Sequence, residues 1–130
     1  MAMPIVRPLL VAASLAVAAC ASTPREATDP PPFLDYAGED IDRIRFAYLS
    51  DWQALGRDHV VLSFDRNRHV LVELMEPCIS DARHARAVAL DQAIANTFRR
   101  LDGLRIGGRV CRIETMRRFD AEAWASRNSG

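Results

Sequence analysis

The sequence predicts a small α+β domain, a mainly antiparallel sheet with one central helix, stapled by a disulfide. Three observations predict it. Apolar residues alternate along several short runs between residues 41 and 74, an Ala-rich stretch with a cap signal begins at Ser80, and two cysteines, Cys78 and Cys111, lie in the part that can fold. The order strand, hairpin, helix, then two strands is also that of an OB-type barrel, although strand order alone does not close one. With 130 residues and 14.5 kDa, 49% hydrophobic and 26% charged, the chain has room for one such domain.

Taken in order, the chain opens with an address. Met1 to Arg7 carries one cation and Leu9 to Ala19 is nearly continuous apolar sequence, the pattern of a secretory signal over residues 1–19. That run is too short for the ~20 residues of a membrane-spanning helix. It ends in Val17-Ala18-Ala19-Cys20, which resembles the lipobox of bacterial lipoproteins, so Cys20 is the expected lipidation site. Acyl chains there would tether the mature chain to a membrane, each buried CH₂ contributing about 0.8 kcal/mol. Ala21 rather than Asp follows the cysteine, which by the usual sorting rule of such lipoproteins points to the outer membrane, with the domain facing the periplasm. Residues 20–40, with Pro30-Pro31-Pro32, read as an extended tether.

The domain is expected over 41–120. Ile44, Phe46 and Tyr48 alternate with Arg43, Arg45 and Ala47 as a half-buried strand, and Trp52 follows in a turn-like stretch. His59 to Asp65 and His69 to Leu74 form a hairpin. Pairing Phe64 with Val70, Leu62 with Val72 and Val60 with Leu74 puts the large apolar residues on one face and sets His69 opposite Asp65. Ser80-Asp81 then caps a helix carrying Ile79, Ala82, Ala85, Val88, Ala89 and Ala93. Leu104 and Ile106 lead through a Gly107-Gly108 turn into Val110-Cys111-Arg112-Ile113. In the tail, residues 121–130, Asp120 caps a short helix.

Three cysteines less the lipidated one leave Cys78 and Cys111 in an oxidising compartment, where they should pair. Closing a loop of 33 positions is worth about 3–4 kcal/mol on a chain-entropy estimate. The alternatives, a redox-active or metal-binding pair, lack Cys-x-x-Cys spacing.

Sought chemistry does not assemble. His59, His69 and His84 share no metal-ligand spacing, so no metal or cofactor is expected. Ser80, Asp81 and His84 have the residue types of a triad but no nucleophile elbow, and capping explains the first two better. Gly107-Gly108 lacks the rest of a phosphate loop.

Charge is more informative. The formal net charge is zero, which offers nucleic acid no overall field, yet all 17 cations are Arg and they are unevenly spread. Between 99 and 118, seven Arg meet only Asp102 and Glu114, a net of +5, whereas residues 21–65 set four Arg against nine acids, a net of −5. Opposite strands could neutralise each other across the sheet. The functional alternative is an anion-binding surface in which Arg105, Arg109 and Arg112 meet anionic lipid, lipopolysaccharide or an acidic envelope protein, since guanidinium forks bind phosphate and carboxylate bidentately.

The lipobox, Trp52, a hairpin ending in Leu74, Pro77 and Cys78, and a late segment with Asp102, Gly107 or Gly108, Cys111 and Ile113 together resemble a family of small proteobacterial envelope lipoproteins of unknown function, over residues 41–118. The resemblance implies the fold, the disulfide and an envelope role, and brings no catalytic residues. The expectation is therefore a binding or structural accessory rather than an enzyme; an envelope enzyme with an unrecognised active site is the alternative.

Overall fold

The computed structural model describes residues 31–76 and 78–128, together with Pro4. Apart from Pro4, the expected signal segment, Cys20 and the expected tether up to residue 30 lie outside the described residues. A 3-10 turn, Pro32–Tyr36, leads into nine strands: β1 Ala37–Asp40, β2 Arg43–Arg45, β3 Leu49–Ala54, β4 His59–Phe64, β5 Arg68–Leu74, β6 Val88–Asp91, β7 Thr97–Arg99, β8 Gly103–Ile106 and β9 Arg109–Phe119. A second 3-10 turn, Ala82–His84, precedes β6, and α1, Ala121–Asn128, follows β9 as the one α-helix among the described residues. Seven strands form an antiparallel sheet in the order β3-β4-β5-β9-β8-β6, with β1 also on β9, and β2 pairs with β7 as a separate ribbon. The sheet curls into a nearly closed, barrel-like shape around one core.

The runs Val60-Val61-Leu62 and Val70-Leu71-Val72 have no alternation because both faces of β4 and β5 are covered. Inside the curl, Val60, Leu62, Phe64, Val70, Val72 and Leu74 meet Phe98, Leu104, Ile106, Cys111, Ile113 and Met116. Outside it, Val61 and Leu71 join Phe119 and Phe33, and Trp124 of α1 packs on this second cluster. Residues 32–40 and 121–128 thus belong to the fold, although both lie beyond the 41–120 expected for the domain. Burying Phe33 ties part of the segment expected as a tether to the sheet.

The predicted central helix does not form. Asp81 does cap a turn, its carboxylate accepting from the Arg83 backbone N–H at 2.9 Å, but the turn ends after His84 and residues 88–91 pair with β8. Val88 and Leu90 face the core while Ala89 faces out, a period of two hidden in an Ala-rich segment. The edge of β8 needed a partner, and those ladder bonds outweigh a helix propensity worth only tenths of a kcal/mol per residue. The α1 helix at the C-terminus is where predicted, with Asp120 Oδ1 accepting from the Ala123 N–H at 3.0 Å.

The hairpin is shifted by two residues from the expected register: Val60 faces Val72, Leu62 faces Val70 and Phe64 faces Arg68. An even shift keeps the same side chains inside. The turn tightens to 65–67 because Asp65 and Arg66 adopt positive φ, and the Asp65 carboxylate accepts from the Ala47 and Tyr48 N–H groups and pairs with Arg68. His69 consequently does not face Asp65; its Nδ1 lies 2.8 Å from Ser63 Oγ. Trp52 stands in β3 rather than in a turn, and the predicted strand at 44–48 shrinks to β2. As predicted, Gly107-Gly108 turns β8 into β9 with φ of 60° and 81°.

Candidate functional site

The end of the barrel where β8 turns into β9 gathers the residues of interest. Cys78 and Cys111 form the expected disulfide, with Cα atoms 5.5 Å apart. It fastens the 78–85 segment to β9, and Cys111 itself is fully buried. Opposite, Gly103 allows the strands to close, since a Cβ there would stand 2.7 Å from Val110 Cγ1.

The three arginines of the expected anion site divide between two faces. Inward positions of β8 and β9 are Leu104, Ile106, Cys111 and Ile113, so Arg105 and Arg112 point outward. Arg105 stands opposite Val110, and Arg112 opposite Gly103. Arg105 Nη2 approaches Asp91 Oδ1 at 3.6 Å, and Arg112 Nη1 donates to the Leu101 carbonyl at 3.4 Å. Among the described residues no carboxylate lies within ion-pairing distance of Arg112. Two apolar side chains share this surface, Leu101 at 71% exposure and Val110 at 40%. Asp42, Arg43, Arg99 and Arg100 border Leu101. Leu101 escaped sequence reasoning because it follows Phe98 and Arg99-Arg100 as a core residue would.

Arg109 has the parity of Cys111 and lies instead at the barrel mouth, in a shallow cleft of about 620 Å³. Its Nη1 donates to the Cys78 carbonyl at 3.2 Å. Arg57, on the loop between β3 and β4, enters the same cleft and donates from Nε to the Ser80 carbonyl at 2.9 Å. His84 lines it as well. Asp81, the one carboxylate in the lining, is clamped by Arg83 through Nε and Nη2, which holds its carboxyl well below the usual range. Ser80, Asp81 and His84 are thus brought to one cleft, with Asp81 engaged in capping and ion pairing. Nothing in the sequence signalled Arg57, which is 52 positions from Arg109.

Neutralisation also occurs, but further along β9. Arg118 Nε meets Glu39 Oε1 at 2.9 Å and Arg117 Nε approaches Asp40 Oδ1 at 3.7 Å, because β1 runs antiparallel to this end of β9. Asp102, only 4% exposed, binds Arg99 through the side chain at 3.1 Å and the backbone N–H at 2.8 Å. Burial opposes its ionisation, and those bonds together with the Ala93 N–H overcome that, lowering its pKa.

The histidines are dispersed: His59 packs on Phe33, His69 bonds Ser63, and His84 is at the mouth. Among the described residues no three His, Cys, Asp or Glu side chains gather as a metal-binding group, and no helix is long and apolar enough to cross a membrane. The model of a family of unknown function, DUF6491, matches residues 3–129, and the chain belongs to that family. No curated protein and no solved structure matches it. The resemblance to an uncharacterised family over 41–118 therefore holds, and extends over nearly the whole chain.

Proposed function

We propose that this member of a family without an assigned role is an outer-membrane lipoprotein, anchored through Cys20, that serves as a binding or structural accessory of the cell envelope. The observation that carries the reading is the outward face of β8 and β9, where Arg105 and Arg112 flank exposed Val110 and Leu101. Cationic guanidinium groups around apolar side chains suit a surface of anionic headgroups or lipopolysaccharide, where each cation near the surface contributes about 1 kcal/mol. The lipobox motif and the 78–111 disulfide, a bond of oxidising compartments, support export. The curled sheet is, on this reading, an OB-like barrel, an architecture whose outer strands and loops commonly bind ligands.

The test is cell fractionation of wild type and Cys20→Ser with mass analysis of the N-terminal peptide. Wild type should sediment with the outer membrane and carry acyl mass, and Cys20→Ser should be released. Sedimentation of both, without acyl mass on the wild type, overturns the anchor.

A further inference from the structure

We infer that the cleft at the barrel mouth binds the phosphate or carboxylate group of a small amphipathic molecule, with Arg57 and Arg109 as the oxyanion clamp. This goes beyond the anchoring surface, which lies on the opposite face of β8 and β9. Two guanidinium groups from distant parts of the chain enter one cleft, and both donate to the same short segment: Arg109 to the Cys78 carbonyl and Arg57 to the Ser80 carbonyl. Each of those contacts uses one of five N–H donors, leaving a fork that can take a second acceptor. The segment they rest on is held at both ends, by the disulfide to Cys111 and by the Ala82 N–H donating to the Arg57 carbonyl at 2.8 Å. The clamp is therefore preorganised, which lowers the cost of ordering two long side chains on binding.

The rest of the lining fits the same ligand. Asp81 would repel an anion, but its two oxygens are taken by Arg83. His84 adds a further N–H donor, while Ile79, Ala85 and Ile106 are apolar members of the lining. The volume of about 620 Å³ lies in the range of small-molecule sites. A lining that combines two guanidinium groups with Ile79, Ala85 and Ile106 suits a molecule that carries both an oxyanion and an apolar body.

The test is a chemical-shift titration of the full chain in zwitterionic detergent with phenyl phosphate, with phenol, inorganic phosphate and phosphatidylglycerol vesicles as separate arms. Phenyl phosphate should saturate with a Kd on the order of 1 mM or tighter, shifting the Nε–H signals of Arg57 and Arg109. Inorganic phosphate should bind more weakly, and phenol should leave those signals in place. Arg57→Gln and Arg109→Gln should each weaken binding about tenfold, whereas Arg105→Gln should not. Ala85→Glu, which adds a carboxylate to the wall and leaves both clamp bonds intact, should abolish binding and serves if a glutamine variant fails to fold. Vesicles shifting the clamp signals while phenyl phosphate does not would assign the site to lipid headgroups and overturn the small-molecule proposal. Lack of saturation by phenyl phosphate, or equal binding in the Ala85→Glu variant, would overturn it as well.

Discussion

The two halves of β9 carry similar arginines and live under different electrostatics. At the C-terminal end, β1 lays Glu39 and Asp40 beside Arg118 and Arg117, and the charges cancel across the ladder. At the N-terminal end the neighbouring strand is β8, whose outward residue is Arg105, so Arg112 faces no acid and Arg109 turns into the cleft. The halves also differ in what holds them. The C-terminal half is paired with β5 and β1 on its two sides, whereas the N-terminal half adds a disulfide to its backbone ladder. The lesson is that a local charge sum of +5 mixes a seam where both arginines meet acids with a surface where Arg105 has Asp91 and Arg112 has no acidic partner, and only strand neighbours separate them.

The strongest way to test this division is to remove the staple. Cys78→Ala with Cys111→Ala should cost about 3–4 kcal/mol from loop entropy, seen as a lower urea midpoint. Hydrogen exchange should also lose protection unequally, with β8 and residues 109–112 opening first and residues 115–119 keeping most of theirs. Equal loss along all of β9 would mean the two halves are one cooperative unit.

A smaller effect is expected at the start of β4, where acid should loosen the outer layer. His59 is desolvated by burial, its ring 5.0 Å from that of Phe33, and this lowers its pKa below 6.5 against the opposing pull of Glu73 and Asp58. The folded state therefore favours the neutral ring. Its contribution is complete above about pH 6.5 and is lost as pH falls from there toward the folded pKa. Glu76, raised by neighbouring Asp58, shifts stability the other way as pH falls, so the pH dependence is read as the difference between wild type and a His59 variant that both carry Glu76. Denaturation midpoints should fall more from pH 7.5 to 5.5 in wild type than in His59→Gln. An undiminished pH difference in the variant would place the proton elsewhere.

Much of this was legible beforehand, and the failures have a common cause. The Gly107-Gly108 turn, the α1 cap and the Cys78–Cys111 pair were readable because each rests on local chemistry or on elimination. The segment after Ser80 was misread because Val88-Ala89-Leu90 is compatible with both periods, and the choice was made by the open edge of β8. Phe33 was missed because a buried aromatic after a proline run looks the same in sequence as one in a tether. The arginine site was legible as a charge excess but not as two surfaces. Parity along β9 separates Arg109 from Arg112, and the bulge opposite Glu73 and Leu74 moves the inward face from Ile113 to Met116.

The smallest effects on stability decide the comparison most directly. Reversing the C-terminal pair, Arg117→Glu with Arg118→Glu, should lower stability by only about 0–1 kcal/mol, because both ion pairs are exposed and screened. Adding Glu39→Arg and Asp40→Arg should restore it. Reversing Arg105 and Arg112 instead should lower stability by no more than about 0.5 kcal/mol, since it breaks one exposed ion pair, Arg105 with Asp91 at 3.6 Å, and Arg112 has none to lose. Binding should divide the other way. With the full chain carrying Cys20→Ser, so that the proposed lipid cannot mask the contact, anionic vesicles at low salt should retain the Arg117 and Arg118 variant and lose the Arg105 and Arg112 variant. Wild-type binding should fade as the Debye length contracts from about 10 Å at 0.1 M salt to about 3 Å at 1 M. If both reversals weakened vesicle binding equally, attraction would follow total charge and the two halves of β9 would be electrostatically alike. If neither did, the face around Leu101 and Val110 would have no part in membrane contact.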